Sequence, residues 1–235
     1  MKIFAYNSSR NESSKTLQIV YKLIQEIGDE EDNESKIYTP LTINIEHCIG
    51  CVACFNGKSC AIDKRDSFDK VKREMLESDV VIFASPVYAC AVSGDMKVFI
   101  DRISHMLHLM ALRGKIGIPI ISASSNSLIE TEDYLKKVFE YLGAYVPFSI
   151  LCTVDYPKQF GSKEFDMEIK AYARRIKKIY SGNEKKCASK IQDSFFRKMQ
   201  KNYIFLVGKN YEADYWYNNN MLEYMSYQQL LDDIV

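Results

Sequence analysis

Short apolar runs and longer amphipathic stretches alternate along the first 155 residues of the chain. Ile3 to Tyr6 is a β-like run, after which Thr16, Leu17, Val20, Tyr21, Leu23, Ile24 and Ile27 recur at helical spacing. The acidic segment Gly28-Asp29-Glu30-Glu31-Asp32-Asn33-Glu34 ends that helix in a solvated turn, and Ile37 to Ile45 reads as a second strand. Phe68, Val71, Met75 and Leu76 mark a short helix before Val80-Val81-Ile82-Phe83-Ala84. That last run is apolar without alternation, the pattern of a strand covered on both faces. A helix is predicted over 93–112, a fourth buried strand over Ile116 to Ala123, a helix over 130–142 and a fifth strand over Tyr145 to Val154.

Five alternations of strand and helix predict an α/β fold built on a parallel, doubly wound sheet. Ligands of such sheets bind beyond the carboxyl ends of the strands, where strand order reverses, so the loops after strands one, three and four carry the candidate chemistry. From about Tyr156 the pattern changes: Pro157, Gly161 and Ser162 interrupt it. A last helix follows through Glu168, Ala171, Tyr172, Arg175, Ile176 and Ile179. The division expected is a main domain over 1–180, with a cysteine-rich loop at 47–61, and a helical, aromatic-rich extension over 181–235.

Composition narrows the function classes. Lys plus Arg and Asp plus Glu number 31 each, a balance that gives no electrostatic reason to expect nucleic acid or an anionic membrane as partner. No apolar run approaches the roughly 18 residues of a membrane span, and Met1-Lys2-Ile3-Phe4-Ala5-Tyr6-Asn7 reads as a short strand instead of a signal peptide. A cytoplasmic location is therefore expected, where thiols stay reduced. Four of the seven cysteines crowd at Cys48, Cys51, Cys54 and Cys60, and crowding in a reducing compartment favours metal over disulfides.

The first loop, Asn7 to Thr16, combines small hydroxyls, backbone N–H groups and a helix amino terminus, with the Arg10 fork beside them. These suit an anion, while an ordinary capped helix would use the same Ser and Thr residues. After strand three, Pro86 stiffens the turn and Tyr88 would present a ring at the mouth of the sheet; a packed βα turn is the alternative. Cys90 in the same loop is read as a small buried residue, and Cys152 and Cys187 as structural. His105 and His108, three apart on one helix, are assigned to packing and interface roles.

Ser85-Pro86-Val87-Tyr88, then Ser93, then Met96-Lys97-Val98-Phe99-Ile100-Asp101-Arg102, resembles the signature of the flavodoxin-like NADPH-dependent FMN reductases. The cysteine cluster is similar to that of their iron–sulfur flavoprotein branch, and Ala213-Asp214-Tyr215-Trp216 resembles the aromatic segment near the end of many members. The resemblance implies a flavodoxin-like five-stranded sheet of order 2-1-3-4-5 with a C-terminal helical extension. It implies FMN, with Ser8, Arg10, Ser14 and Thr16 at the phosphate. Ser85, Pro86, Val87 and Tyr88 would lie at the isoalloxazine ring, and Ser122, Ser124, Ser125 and Asn126 at its pyrimidine edge. Two departures stand out: Asn7-Ser8-Ser9-Arg10 where the family usually has Gly-Ser-Pro-Arg, and a fourth-strand loop without glycine.

Cys48-x2-Cys51-x2-Cys54-x5-Cys60 can cap four corners of a cubane, and Gly50 and Gly57 let the backbone wrap it. The resemblance implies one [4Fe–4S] cluster there. Zinc held by four thiolates and a redox-labile loop without a cluster are the alternatives. The function expected is an FMN-dependent oxidoreductase passing electrons from NAD(P)H or ferredoxin to a small acceptor, with no catalytic side chain beyond the flavin. The alternatives are an electron carrier serving a protein partner and a non-redox relative that has lost FMN. A homodimer or homotetramer is expected from the family's habit of placing the flavin at a subunit boundary.

Overall fold

The computed structural model describes residues 1–28, 33–66 and 68–234, so the centre of the acidic turn expected over 28–34 lies outside the described residues. Five parallel strands form the sheet: β1 (Lys2–Asn7), β2 (Glu34–Tyr38), β3 (Val80–Tyr88), β5 (Ile116–Ala123) and β6 (Ile150–Thr153). They lie in the order β2-β1-β3-β5-β6, while the two-residue β4 (Ala91–Val92) pairs antiparallel with the end of β3. With β4 set aside, this is the order 2-1-3-4-5 of a flavodoxin-like sheet.

Both faces are covered, which is why the inner strands are continuously apolar. Ile3, Ala5, Ile82, Ala84, Ile118 and Ile120 face α1 (Lys15–Ile27) and α7 (Lys163–Tyr180). The alternate residues Phe4, Tyr6, Val81, Phe83 and Ile121 face α3 (Phe68–Glu77), α4 (Gly94–Arg102) and α6 (Leu128–Leu142). At the centre of that second layer Phe99 stacks on Tyr6 at 4.3 Å and meets Phe68 and Phe83 edge-on at 5.4 and 5.3 Å.

Four boundaries differ from the sequence expectation. β2 stops at Tyr38, not Ile45, because Thr39-Pro40-Leu41-Thr42 forms a turn closed by Thr42 N–H on the Thr39 carbonyl at 3.0 Å. Beyond it, Ile43 and Ile45 still pack against the core. The helix expected over 93–112 is two helices, α4 and α5 (Ser104–His108), parted at Ile103. The last strand is shortened to Ile150–Thr153, with Tyr145 contributing a lone bridge to Ile116. β3 continues through Ser85 to Tyr88, so the expected loop is the strand's own end turning into a hairpin. A four-residue helix not foreseen in the sequence, α2 (Asp63–Asp66), follows the cysteine loop.

After α7, helices α8 (Lys190–Tyr203), α9 (Tyr211–Asn218) and α10 (Tyr227–Ile234) enclose a separate core around Trp216, Phe196 and Tyr227. This extension is seated on the main sheet's flank: Gln192 Nε2 donates to the Ala144 carbonyl at 2.8 Å, Tyr227 Oη to the Gly143 carbonyl at 2.5 Å, and Phe195 stacks on Tyr141 at 4.5 Å. Among the described residues no helix is long and apolar enough to cross a membrane.

Phe99 is fully buried at the junction of four other rings, so Phe99→Ala is expected to cost about 3–5 kcal/mol of folding stability, read as a lowered denaturant midpoint at unchanged slope.

Candidate functional site

The carboxyl ends of β1, β3 and β5 meet at one edge, and buried hydroxyls tie their loops together. Ser8 N–H and Oγ both donate to the Ala84 carbonyl, at 2.9 and 3.2 Å. Ser93 Oγ lies 2.7 Å from Ser8 Oγ and 3.1 Å from the Ser8 carbonyl, and it caps α4 by accepting from Met96 N–H. Ser85 Oγ in turn accepts from Ser93 N–H at 3.0 Å. Ser14 caps α1 by accepting from Leu17 N–H, and Thr16 in the first turn lies 2.6 Å from Ser122 at the end of β5. Thus Ser8, Ser14, Thr16, Ser85 and Ser122 are brought to one edge, with Ser122 placed against the first loop.

The remaining residues singled out from the sequence stand nearer the solvent. Arg10 forks onto Asp95 at the start of α4, with Nε and Nη2 at 2.8 and 2.7 Å from its two oxygens. Ser124, Ser125 and Asn126 are exposed, and the Ser124 carbonyl accepts from Asp155 and Tyr156 N–H at 3.2 and 3.1 Å. Pro86 and Val87 are half-buried, and Tyr88 is 54% exposed. The hairpin tip uses Ala89 and Cys90 at φ 48° and 64°, left-handed conformations usually left to Gly or Asn. Cys90 is exposed there, which corrects its reading as a small buried residue. Among the described residues three side chains have buried polar atoms without a partner: His105 at Nδ1, Ser149 at Oγ, and Asn7 at the end of β1, which is fully inaccessible and unpaired at both Nδ2 and Oδ1.

The second constellation is the cysteine loop. Cys48, Cys51, Cys54 and Cys60 are all free thiols and line one cavity of about 290 Å³, whose wall also includes Arg102 and His105. Among the described residues no three metal-binding side chains converge on a single ion position. Burial pushes the Cys54 thiol up. Gly50 and Gly57 take φ 66° and 72°, and the β-branched Val52 is held at φ 51° between them.

A buried guanidinium clamps both ends of this loop. Arg102 Nη1 donates to the Glu46 carbonyl at 2.8 Å and to Asp66, while Nη2 donates to Asp63 Oδ1 at 2.5 Å. Lys72 bonds Asp63 as well, and Glu46 N–H donates to Asp66 at 2.9 Å. Burial alone would raise the Asp66 carboxyl, but bonds from Arg102 and two backbone N–H groups outweigh it and hold the group below its ordinary range.

The C-terminal extension closes the other side. The Tyr211 ring packs so tightly on Gly57 that a Cβ there would stand 2.4 Å from its Cδ2. Phe55 meets His108 edge-on at 5.2 Å; His108 Nδ1 lies 3.0 Å from Glu212, which also accepts from Tyr203 Oη at 2.7 Å. Burial and the nearby Lys72 charge lower the His105 pKa to about 4, so that ring is neutral at pH 7. Asp63, Asp66, Lys72, Tyr211 and Glu212 were not foreseen. For Asp63 and Asp66 the sequence signal is the Arg of Asp101-Arg102, which demands carboxylate partners once buried.

The family model described as NADPH-dependent FMN reductase matches residues 1–157. An iron–sulfur flavoprotein of Archaeoglobus fulgidus is 31% identical over 211 residues, covering 86% of this chain and 89% of its own. One of Clostridioides difficile is 27% identical over 174 residues, covering 74% and 75%. Among solved structures, the apo form of an NADH:FMN oxidoreductase superposes with TM-score 0.56 at 17% identity, covering 74% of this chain and 87% of its own. A WrbA-like flavodoxin of Agrobacterium tumefaciens does so with TM-score 0.52 at 14% identity, covering 78% and 98%. At those identities the structural likeness speaks for the fold alone.

Two variants test the loop. Arg102→Met strands two buried carboxylates and is expected to cost about 3–5 kcal/mol. Because the folded Asp66 pKa is depressed, its contribution is complete above the ordinary Asp value of about 4 and is lost as pH falls through the lower folded value. Wild type should therefore show an acid-side loss of stability that Arg102→Met lacks. Gly57→Ala places a methyl group against Tyr211 in a left-handed residue; a loss of about 1–2 kcal/mol and faster labelling of the loop thiols by a thiol reagent are expected.

Proposed function

The chain belongs to the NADPH-dependent FMN reductase family, in its iron–sulfur flavoprotein branch, and we propose that it is an FMN-dependent oxidoreductase whose four-cysteine loop holds a [4Fe–4S] cluster. The reading extends to NAD(P)H or ferredoxin as electron donor and a small molecule as acceptor. Bound FMN would supply hydride and one-electron chemistry, and the cluster one-electron chemistry alone.

The observation that carries this reading is how α4 joins the two constellations. Its amino end is capped by Ser93, inside the hydroxyl knot at the sheet edge, and its carboxyl end delivers Asp101 and Arg102 to the wall of the cysteine cavity. From Ser93 to Asp101 the helix rises only about 12 Å. The residues present fit both groups. The first loop and the α1 amino terminus offer backbone N–H groups and the Ser14 and Thr16 hydroxyls to a phosphate, and the exposed Arg10–Asp95 pair is weak enough for Arg10 to serve it too. Pro86, Val87 and Tyr88 would flank the ring, with Ser124, Ser125 and Asn126 at its edge, while Ser122 stands against Thr16 on the phosphate side. Cys48, Cys51, Cys54 and Cys60 line one cavity, and their compact spacing, without the long spacer between two Cys-x2-4-Cys hooks usual for structural zinc, favours a polynuclear core.

The chain's own work is positioning. Arg102 and its carboxylates hold the cysteine loop in shape, the Ser8–Ser93–Ser85 bonds fix the sheet edge, and Tyr211 of the extension packs on the loop at Gly57. The exposure of Tyr88, Ser124 and Asn126 leaves the flavin edge open, an arrangement that also suits a carrier exchanging electrons with a protein partner.

Anaerobic purification with an absorption spectrum and metal analysis tests the proposal. A flavin spectrum with broad brown absorbance and about four irons per chain is expected. Protein that stays colourless after incubation with FMN defeats the flavin reading, and stoichiometric zinc in place of iron defeats the cluster. On rapid mixing with NADPH or NADH, flavin bleaching supports the reductase, whereas none with either nucleotide leaves the carrier.

A further inference from the structure

The wall of the cysteine cavity holds an imidazole that the chain leaves unpaired. His105, in the first turn of α5, lines the cavity together with the four thiols. Its Nδ1 is enclosed without a hydrogen-bond partner. Nε2 has no partner in the chain either, but it is not enclosed, which leaves it to the cavity the ring lines. Phe55 of the cysteine loop meets the ring edge-on at 6.3 Å, and burial beside the Lys72 charge keeps it neutral at pH 7. A neutral imidazole carries one N–H and one bare nitrogen. An N–H at Nδ1 would be buried against no acceptor, so the proton belongs on Nε2, where an occupant of the cavity can receive it.

We propose that His105 donates Nε2–H to a sulfur of the [4Fe–4S] cluster and thereby raises the potential of its one-electron couple. The inference rests on the cluster reading above. Thiolate and sulfide sulfurs are acceptors only, so a filled cavity presents acceptors to the ring and selects the Nε2–H tautomer. Reduction makes those sulfurs more negative, and the donor then holds the reduced form more tightly than the oxidised one. Hydrogen bonds to sulfur are among the determinants of such potentials. The electron comes from the reduced flavin, and the imidazole keeps its proton throughout. Because the ring is neutral, the effect acts through the bond and not through a net charge. With Cys48, Cys51, Cys54 and Cys60 at the four corners, His105 is a positioning residue beside the irons and not a ligand to them.

Redox titration of the anaerobic holoprotein with dithionite, following the cluster by EPR, tests this in wild type, His105→Phe and His105→Gln. Phenylalanine fills the ring's place without a donor, and glutamine returns an N–H near the position of Nε2. At the potential where the wild-type cluster is half reduced, His105→Phe is expected to lower the reduced-to-oxidised ratio roughly three- to tenfold, tenfold corresponding to about 59 mV for one electron. His105→Gln should stay within about twofold of wild type. An unaltered ratio in His105→Phe overturns the proposal, as does an equal fall in both variants, the mark of a packing role. Should His105→Phe lose its cluster, pulsed EPR of protein carrying isotopically labelled histidine decides. Weak nitrogen coupling in wild type that is lost in His105→Gln is expected from an N–H on sulfur. No coupling, or the strong coupling of a nitrogen bound to iron, overturns the proposal. Wild type without iron overturns the cluster reading itself, and this inference with it.

Discussion

A single guanidinium, that of Arg102, sets the geometry on which both constellations depend. Its side chain and those of Asp63 and Asp66 are almost wholly buried, so their charges are tolerable only in one another's company. Because Asp63 and Asp66 follow the cysteine loop and the Glu46 carbonyl precedes it, the three bonds draw the two ends together. Arg102 also ends α4, so the closed loop is indexed to the same helix whose other end is locked into the sheet edge by Ser93. Removing the guanidinium would release a loop and also uncouple two regions that have no other short connection through the sequence.

What was legible in the sequence follows from the range of the forces involved. β3 and β5 announce themselves because a strand buried on both faces must be apolar at every position. The crowded cysteines and the hydroxyl-rich first loop were equally plain, since their spacing is local. The end of β2 was misjudged because Ile43 and Ile45 are buried without being in a strand, and apolarity alone cannot tell the two apart. The break at Ile103 carries no Gly or Pro to mark it. The partners of Arg10 and Arg102 lie 85 and 39 residues away, and only the sheet's topology brings them together.

The aromatic extension illustrates the same limit. Its Tyr and Trp content suggests packing, but not against what. In the structure part of it encloses Trp216, whose Nε1 donates to the His108 carbonyl at 2.9 Å, while Tyr211 and Glu212 at the start of α9 address the cysteine loop and the helix behind it. The extension is consequently a wall of the cysteine site as well as a buttress for the sheet.

That wall has a consequence for the order of events as the chain is made. The loop thiols are complete at Cys60, whereas the Tyr211 ring that packs on Gly57 is added some 150 residues later. At about 5–20 residues per second, the thiols spend roughly 8–30 s emerged but unroofed. Any metal or oxidant that reaches the nascent chain has that interval of open access to the thiols. Translation speed over the roughly 150 residues that follow the loop, a variable absent from the folded molecule, thereby sets how long the four thiols stand open before Tyr211 packs on Gly57.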